Sequence, residues 1–477
     1  QQKRAGADVS RVEPARLRQE TAYRAANISG LLESLSESIA LLEGKPWNDK
    51  QRFVDSLALE VNTVALEPNE DVQVALHRMF PSDDRKAFGE KPLVTIAIKE
   101  DAAATADITP SLTSPRVVRR APVFADRIRI SQTSTVVNQR LLLPDGIYRV
   151  EAVLESGGEV VARLRKPIFA ISDFTEKLEG LVALLNTIRG STDPNAKSRA
   201  EQLATIEFQI QRLAGINEAH GENLDPIAEL RRLEEVLAAV SGGSNPLATA
   251  RGQVEKACRS ADGRLLPYRV YLPKSYDGKT PAPMVVLLHD ALVDERAYLS
   301  EIYGGSTIAA EAEKRGFVLV APGAGGIFPT YRGKSQEDVF EVIRAAMQEY
   351  AVDPGRIYVT GHSAGAFGTW AIASQRPEMF AAIAPVSGGF VLAQNDQTAI
   401  FSKVSDVPVL VVHGGRDGIA PPKLSRELSN SARKAGLRVE YLESADADHF
   451  SVVSTTFSQI LDFFQKNRKA PKPEQSK

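Results

Sequence analysis

The segment that most restricts this chain is Ile357-Tyr358-Val359-Thr360-Gly361-His362-Ser363-Ala364-Gly365, an apolar run that ends in Gly-x-Ser-x-Gly and continues into small residues. Such a run reads as a buried strand feeding straight into a helix. So sharp a turn strains the backbone at the serine. Glycines two residues to either side let neighbouring chains approach, which leaves the hydroxyl exposed above the sheet. Further apolar runs at 269–272, 284–289, 317–322, 382–386, 408–413 and 437–442 alternate with helix-length amphipathic stretches. That alternation predicts a mostly parallel α/β sheet covered on both faces, with its chemistry at the carboxyl ends of the strands.

A serine hydroxyl is a weak nucleophile, so it needs a neighbouring base, and the base needs an orienting carboxylate. On a sheet of this kind the chain order is Ser…Asp…His. The run 408–413 leads into Gly414-Gly415-Arg416-Asp417, and 437–442 leads into Ser444-Ala445-Asp446-Ala447-Asp448-His449-Phe450. His449 is the only histidine after Asp417; His77 and His220 lie outside this region, and His289, His362 and His413 sit beside strand ends or the turn. The candidate catalytic residues are therefore Ser363, Asp417 and His449. A developing oxyanion needs two backbone N–H donors, one from the residue after the nucleophile and one from an early strand-end loop. Ala364 and Ala291 are the candidates for that oxyanion hole. Asp290 and Asp448 are alternative carboxylates that read first as turn or supporting groups. Phe328, Tyr331, Phe390 and Phe450 are candidate substrate-binding residues.

The rest of the chain divides by hydrophobic period. Residues 1–90 read as an N-terminal helical region, with Leu31, Leu32, Leu35, Ile39 and Leu42 on one face and a second stretch, 51–79, helical in part. Residues 91–172 alternate with period two and predict a small antiparallel, sandwich-like β region, in which Gly157-Gly158 supplies the positive φ angles of a tight hairpin. Residues 173–240 return to helical spacing as a hairpin or bundle, and Ser241-Gly242-Gly243-Ser244-Asn245-Pro246 opens a linker over 241–250. The sheet region follows over 251–467, and 468–477 is a polar tail.

Composition removes several classes of function. Lys and Arg number 58 against 60 Asp and Glu, a net charge of −2, so there is no overall basic field for nucleic acid. Cys258 is the single cysteine, which excludes an intramolecular disulfide framework and a cysteine-based metal site. No run of 18 apolar residues is present to span a membrane. The histidines lack metal-ligand spacing, and no phosphate-binding glycine fingerprint follows a strand, so neither metal nor cofactor is expected. The chain opens on Gln1-Gln2, which is compatible with removal of an export signal.

Together Leu288-His289-Asp290, the run from Asp353 to Gly365, His413-Gly414-Gly415-Arg416-Asp417 with Pro421, and His449 resemble the α/β-hydrolase superfamily. Within it the likeness is to the polyhydroxybutyrate-depolymerase, feruloyl-esterase and acetylxylan-esterase group, carbohydrate esterase family 1. The resemblance covers roughly 261–466. It implies a secreted or periplasmic serine esterase that forms an acyl-enzyme on Ser363, with His449 as base then acid and Asp417 orienting it. Its substrate would be a small-molecule or polysaccharide-linked ester, with acetyl or feruloyl decorations of plant polysaccharides as examples. Two positions depart from the group: Asp290 stands where a glycine is usual, and so does Ala366. The same chemistry also serves peptidases and acyltransferases, and a binding or scaffold protein with an inactive hydrolase fold is the reading from another class.

Overall fold

The computed structural model describes Arg18 and residues 27–469 apart from 43–44, 68–69, 81, 83–86, 89–92, 102–123, 130–133, 141–142, 192–195, 217–223, 245, 247–249, 292, 327–328 and 389–393. The chain packs as two units, 1–183 with 210–235, and 184–209 with 236–477.

In the first unit, helices α1 (Ile28–Leu42) and α2 (Asp49–Ser56) precede strands β1 (Leu57–Val61), β2 (Ala65–Leu66) and β3 (Asp71–Arg78). The stretch 51–79, expected to be partly helical, is thus helical only to Ser56. Asn48 starts α2 by accepting the Gln51 N–H at 2.9 Å. Beyond Leu57 the period is two: Leu57, Leu59, Val72, Val74 and Leu76 are buried, whereas Glu60, Asp71 and Gln73 are exposed. The face expected on α1 is also rotated. Ile39 is 55% exposed, while Ser34 and Ala40 are buried, with the Ser34 hydroxyl donating to the Gly30 carbonyl at 2.8 Å.

Strands β4 (Leu93–Glu100), β5 (Phe124–Arg129), β6 (Ser134–Arg140), β7 (Gly146–Ser156) and β8 (Glu159–Ala170) follow. They form a three-stranded sheet, β1-β3-β6, and a five-stranded sheet, β2-β8-β7-β4-β5, antiparallel except at the β2–β8 pair. Both sheets contribute to one core, in which Leu59, Val74 and Leu76 meet Ile96, Val150 and Leu154. Gly157 and Gly158, at φ 59° and 82°, close the two-residue hairpin that sets Ser156 opposite Glu159.

Helices α3 (Phe174–Arg189), α4 (Ala196–Ala214) and α5 (Pro226–Ser241) come next. Asp225 caps α5 through bonds from the Ile227 and Ala228 N–H groups, both 3.0 Å, with Pro226 in the first turn. These helices, expected as a region of their own, are divided between the two units. The reason lies at Thr205 on α4. Its hydroxyl accepts the Ala257 N–H at 3.1 Å and donates to the Ala257 carbonyl at 3.2 Å, so α4 covers an edge strand of the eight-stranded sheet in the second unit.

That strand is β9 (Gly252–Arg259), followed by β10 (Leu265–Leu272), β11 (Ala282–Leu288), α6 (Gly305–Arg315), β12 (Val318–Pro322), α7 (Lys334–Glu349), β13 (Val352–His362), α8 (Ala364–Gln375), β14 (Ala382–Val386), α9 (Gln394–Lys403), β15 (Val409–Gly414), α10 (Pro422–Lys434), β16 (Val439–Ser444) and α11 (Ser451–Lys466). The eight strands run β9-β10-β12-β11-β13-β14-β15-β16, with only β10 antiparallel to its neighbours. β12, β14 and β15 are buried along their whole length, as strands covered on both faces must be. Val286, Leu288 and Val359 face one apolar layer with Ile343 and Trp370, and Val285, Leu287 and Leu319 face another with Ile308, Phe457 and Ile460. This is an α/β-hydrolase sheet with its helices on both faces, and β11, β13, β15 and β16 end on the same side.

Candidate active site

Ser363 lies between the end of β13 and the start of α8 with φ 52° and ψ −109°, a left-handed conformation that a residue with a side chain seldom adopts. Tight packing enforces it. A Cβ on Gly361 would lie 2.2 Å from the Gly365 carbonyl oxygen, and one on Gly365 would lie 2.0 Å from the Leu288 carbonyl oxygen. Both neighbours are backbone atoms, so neither can yield cheaply. We expect Gly365→Ala to cost about 3 kcal/mol of stability, because the end of β11 would have to move, and urea unfolding would measure it. Ala366, one of the two departures from the esterase group, is accommodated by Gly388, where a Cβ would lie 2.4 Å from the Ala366 Cβ.

The loops after β15 and β16 bring Asp417 and His449 together. His449 Nδ1–H donates to Asp417 Oδ2 at 2.7 Å, which leaves Nε2 with its lone pair. Asp417 Oδ1 accepts the N–H groups of Ile419 and Ala420 at 2.9 and 2.8 Å. A further donor comes from His413 at the end of β15, whose Nε2 is 3.1 Å from Asp417 Oδ2 and 2.8 Å from the Ala420 carbonyl. The His413 Nδ1 accepts the Ser425 hydroxyl at 2.6 Å, which fixes the ring. Burial alone would raise the Asp417 carboxyl, but the bonds from His413 and His449 hold it well below the usual carboxylate range. His413 was not singled out from sequence. The signal for it was a histidine ending a strand four residues before a candidate carboxylate.

His362, next to Ser363, is completely buried. Its Nε2–H donates to the His449 carbonyl at 2.6 Å, and its Nδ1 accepts the Tyr303 hydroxyl at 3.1 Å. Burial, with His449 beside it, pushes its pKa well down, so the ring is neutral. It serves as a strut that ties the serine turn to the His449 loop.

The Ala291 and Ala364 amides converge on one point, and a side chain of this chain occupies it. Asp290 Oδ1 accepts both N–H groups, from Ala291 at 2.6 Å and from Ala364 at 3.1 Å. Asp290 Oδ2 lies 3.9 Å from His449 Nε2 and 3.9 Å from His362 Nδ1. Asp290, read from sequence as a turn or supporting group, thus holds backbone N–H groups with its carboxylate turned inward. Asp448 does cap, accepting the Phe450 and Ser451 N–H groups at 3.1 and 2.8 Å. Asp290, His362 and His449 are also the one group of side chains, among the described residues, close enough to share a metal ion. His362 Nδ1 in that group already receives the Tyr303 hydroxyl.

Of the aromatic candidates, Phe450 is 39% exposed with its ring 5.2 Å from that of His449, at the edge of the site. Tyr331, expected to line a pocket, is instead wholly buried. Its hydroxyl donates to the His289 carbonyl at 2.7 Å, and its ring occupies the space that a Cβ on Gly368 would need. It braces the loop after β11. Phe328 and Phe390 lie outside the described residues.

Sheet order, the strained serine turn and the position of these loops place the second unit in the α/β-hydrolase class, with a resemblance to the carbohydrate esterase group. A profile of the prolyl oligopeptidase family matches residues 329–403. Poly(3-hydroxyalkanoate) depolymerase C of Paucimonas lemoignei is 43% identical over 56 residues, 12% of this chain and 14% of that protein. Acetylxylan esterase A of Talaromyces purpureogenus is 26% identical over 166 residues, 32% of this chain and 40% of that enzyme. The chain thus spans less than half the length of these curated relatives. Among solved structures, the feruloyl esterase module from Clostridium thermocellum is similar at 15% identity and a TM-score of 0.39, over 48% of this chain and 96% of that one. Among the described residues, no helix is long and apolar enough to cross a membrane.

Proposed function

We propose that this protein is a serine esterase that hydrolyses carboxylic esters through an acyl-enzyme. The observation that carries the reading is a serine held at positive φ after β13 and tied, through the bond from His362 to the His449 carbonyl, to a buried histidine that is itself bonded to a carboxylate at 2.7 Å. In the first half-reaction His449 Nε2 takes the proton as Ser363 Oγ attacks the ester carbonyl carbon. The carbonyl oxygen becomes an oxyanion in reach of the Ala291 and Ala364 N–H groups. Collapse expels the alcohol, protonated by His449, and leaves the acyl group on Ser363. Water, deprotonated by the same nitrogen, then attacks the acyl carbon and releases the carboxylic acid and the free serine. Asp417 keeps the imidazole in the tautomer that presents Nε2.

For the substrate we propose a small acyl or aryl ester, with acetyl or feruloyl groups on plant polysaccharide as the leading class. The names of the matching esterases support this, as does Phe450 beside the proposed base. A secreted or periplasmic location accompanies that substrate. A second reading, a partner-binding protein with an inactive hydrolase fold, draws on the carboxylate of Asp290 lying between the two amides.

Hydrolysis of p-nitrophenyl acetate and methyl ferulate by the full chain, with Ser363→Ala beside it, separates the two readings. We expect serine-dependent turnover of p-nitrophenyl acetate, and the ratio of the two rates reports whether the acyl pocket takes an aromatic group. Folded protein with no serine-dependent turnover of either ester, and no serine-dependent labelling by a fluorophosphonate, favours the binding protein.

A further inference from the structure

The residue after β11 and His289 is an aspartate whose side chain is buried against the two amides that an ester carbonyl would need. One oxygen, Oδ1, takes both N–H groups, so it stands where the oxygen of a tetrahedral intermediate would stand. The backbone beneath it is held independently of that carboxylate. His289 Nδ1–H donates to the Asp290 carbonyl at 2.7 Å, and Tyr331 fixes the His289 carbonyl at the same distance. Rotation of the Asp290 side chain alone would free the amides without rebuilding the loop. Among the described residues no lysine or arginine pairs with this carboxylate; its charged-group neighbours are His362 and His449, each at 3.9 Å. His362 is neutral and bonded elsewhere, so the two backbone N–H groups are the main hold on Asp290 Oδ1.

We propose that Asp290 is an internal competitor for the oxyanion hole and thereby sets how much binding energy beyond the carbonyl an ester must bring to be used at this site. The inference rests on the reading of Ser363 as nucleophile. An ester carbonyl and the Asp290 carboxylate use the same two donors and exclude one another. The apparent affinity for any ester is lowered by the fraction of molecules in which the side chain is turned out. A minimal ester gains only those two hydrogen bonds on entering and competes poorly. An ester with a larger acyl or alcohol group makes contacts beyond the carbonyl and still binds usefully under a cost that is the same factor for every ester. Its effect therefore falls on KM more than on kcat for substrates that do bind.

The test compares wild type, Asp290→Gly and Asp290→Asn, each shown by thermal unfolding to be folded. It measures the second-order rate of fluorophosphonate labelling and the kinetics of p-nitrophenyl acetate hydrolysis. Removing the plug should raise labelling of the glycine variant at least 10-fold and lower KM for the acetate by a similar factor, with kcat within about threefold of wild type. The asparagine variant retains an amide oxygen that fits the donors but lacks the charge, and should fall between the two. KM for methyl ferulate should fall by the same factor as KM for p-nitrophenyl acetate. Labelling that is equal or slower in both variants, in folded protein that wild-type labelling shows to be active, overturns the plug and leaves the esterase reading intact. A fall in kcat in both variants overturns it too, by showing that Asp290 assists the chemistry. Absence of labelling in all three folded proteins overturns the nucleophile reading and the plug with it.

Discussion

Ser363→Ala should lower turnover of p-nitrophenyl acetate by about 10⁴-fold or more, to the level of the remaining amide donors and general binding. The expectation follows from placement. No other hydroxyl occupies the turn between Gly361 and Gly365, and the His449 loop is tied to that turn by the 2.6 Å bond from His362. A second substitution gives the same residue a structural signature. Ser363 is held at φ 52°, where any side chain costs of the order of 1 kcal/mol and glycine costs little. Ser363→Gly should therefore be as inactive as Ser363→Ala yet more stable than it, by about 1 kcal/mol in urea unfolding. Equal stability of the two variants would mean that the turn is not strained, and retained activity in both would mean that another group is the nucleophile.

The readable and unreadable parts of this molecule differ in what determines them. The sheet of the second unit was legible because parallel strands buried on both faces leave uninterrupted runs such as 284–288 and 409–412 in the sequence. Its first strand, β9, was not, since Gly252–Arg259 interleaves Glu255, Lys256 and Arg259 with apolar residues and lies at an edge. The strands β1 and β3 were hidden for a related reason. Their alternation is clear once seen, but runs of five and eight residues, the first directly after a capped helix, are too few to outweigh a helical period across the same window. Ser363, Asp417 and His449 could be proposed from sequence because each follows a strand and chain order restricts the choice. Nothing in one dimension says which way a side chain turns. The inward Asp290 carboxylate and the buried ring of Tyr331 both depend on rotamers set by packing from distant parts of the chain. The division of the 173–240 helices depends on Thr205 meeting Ala257, 52 residues away.

Asp417→Asn should reduce kcat about 10⁴-fold while leaving KM within a few-fold, and the reason is a count of donors. In the folded chain the carboxylate faces His449 Nδ1, His413 Nε2 and the N–H groups of Ile419 and Ala420, and it can accept from all of them. An amide has one oxygen and brings an NH₂ group. If the oxygen keeps the two backbone donors, the NH₂ meets His449 Nδ1, which then serves as acceptor and moves its proton to Nε2, the wrong tautomer for a base. The same argument predicts a stability change whose size depends on pH. Because the Asp417 pKa is depressed in the folded state, its contribution is fully present above the ordinary carboxylate value of about 3.9 and is lost as pH falls from there through the lower folded-state value. Wild type should therefore be more stable than Asp417→Asn near neutrality by about 3 kcal/mol, the cost of breaking a buried charged network, and the gap should close as urea unfolding is repeated below pH 4. A gap that persists in acid would mean that amide packing, not charge, causes the loss. If the variant keeps more than a tenth of wild-type kcat, the orientation of His449 has another source, and Asp290, 3.9 Å from its Nε2, is the carboxylate to remove next.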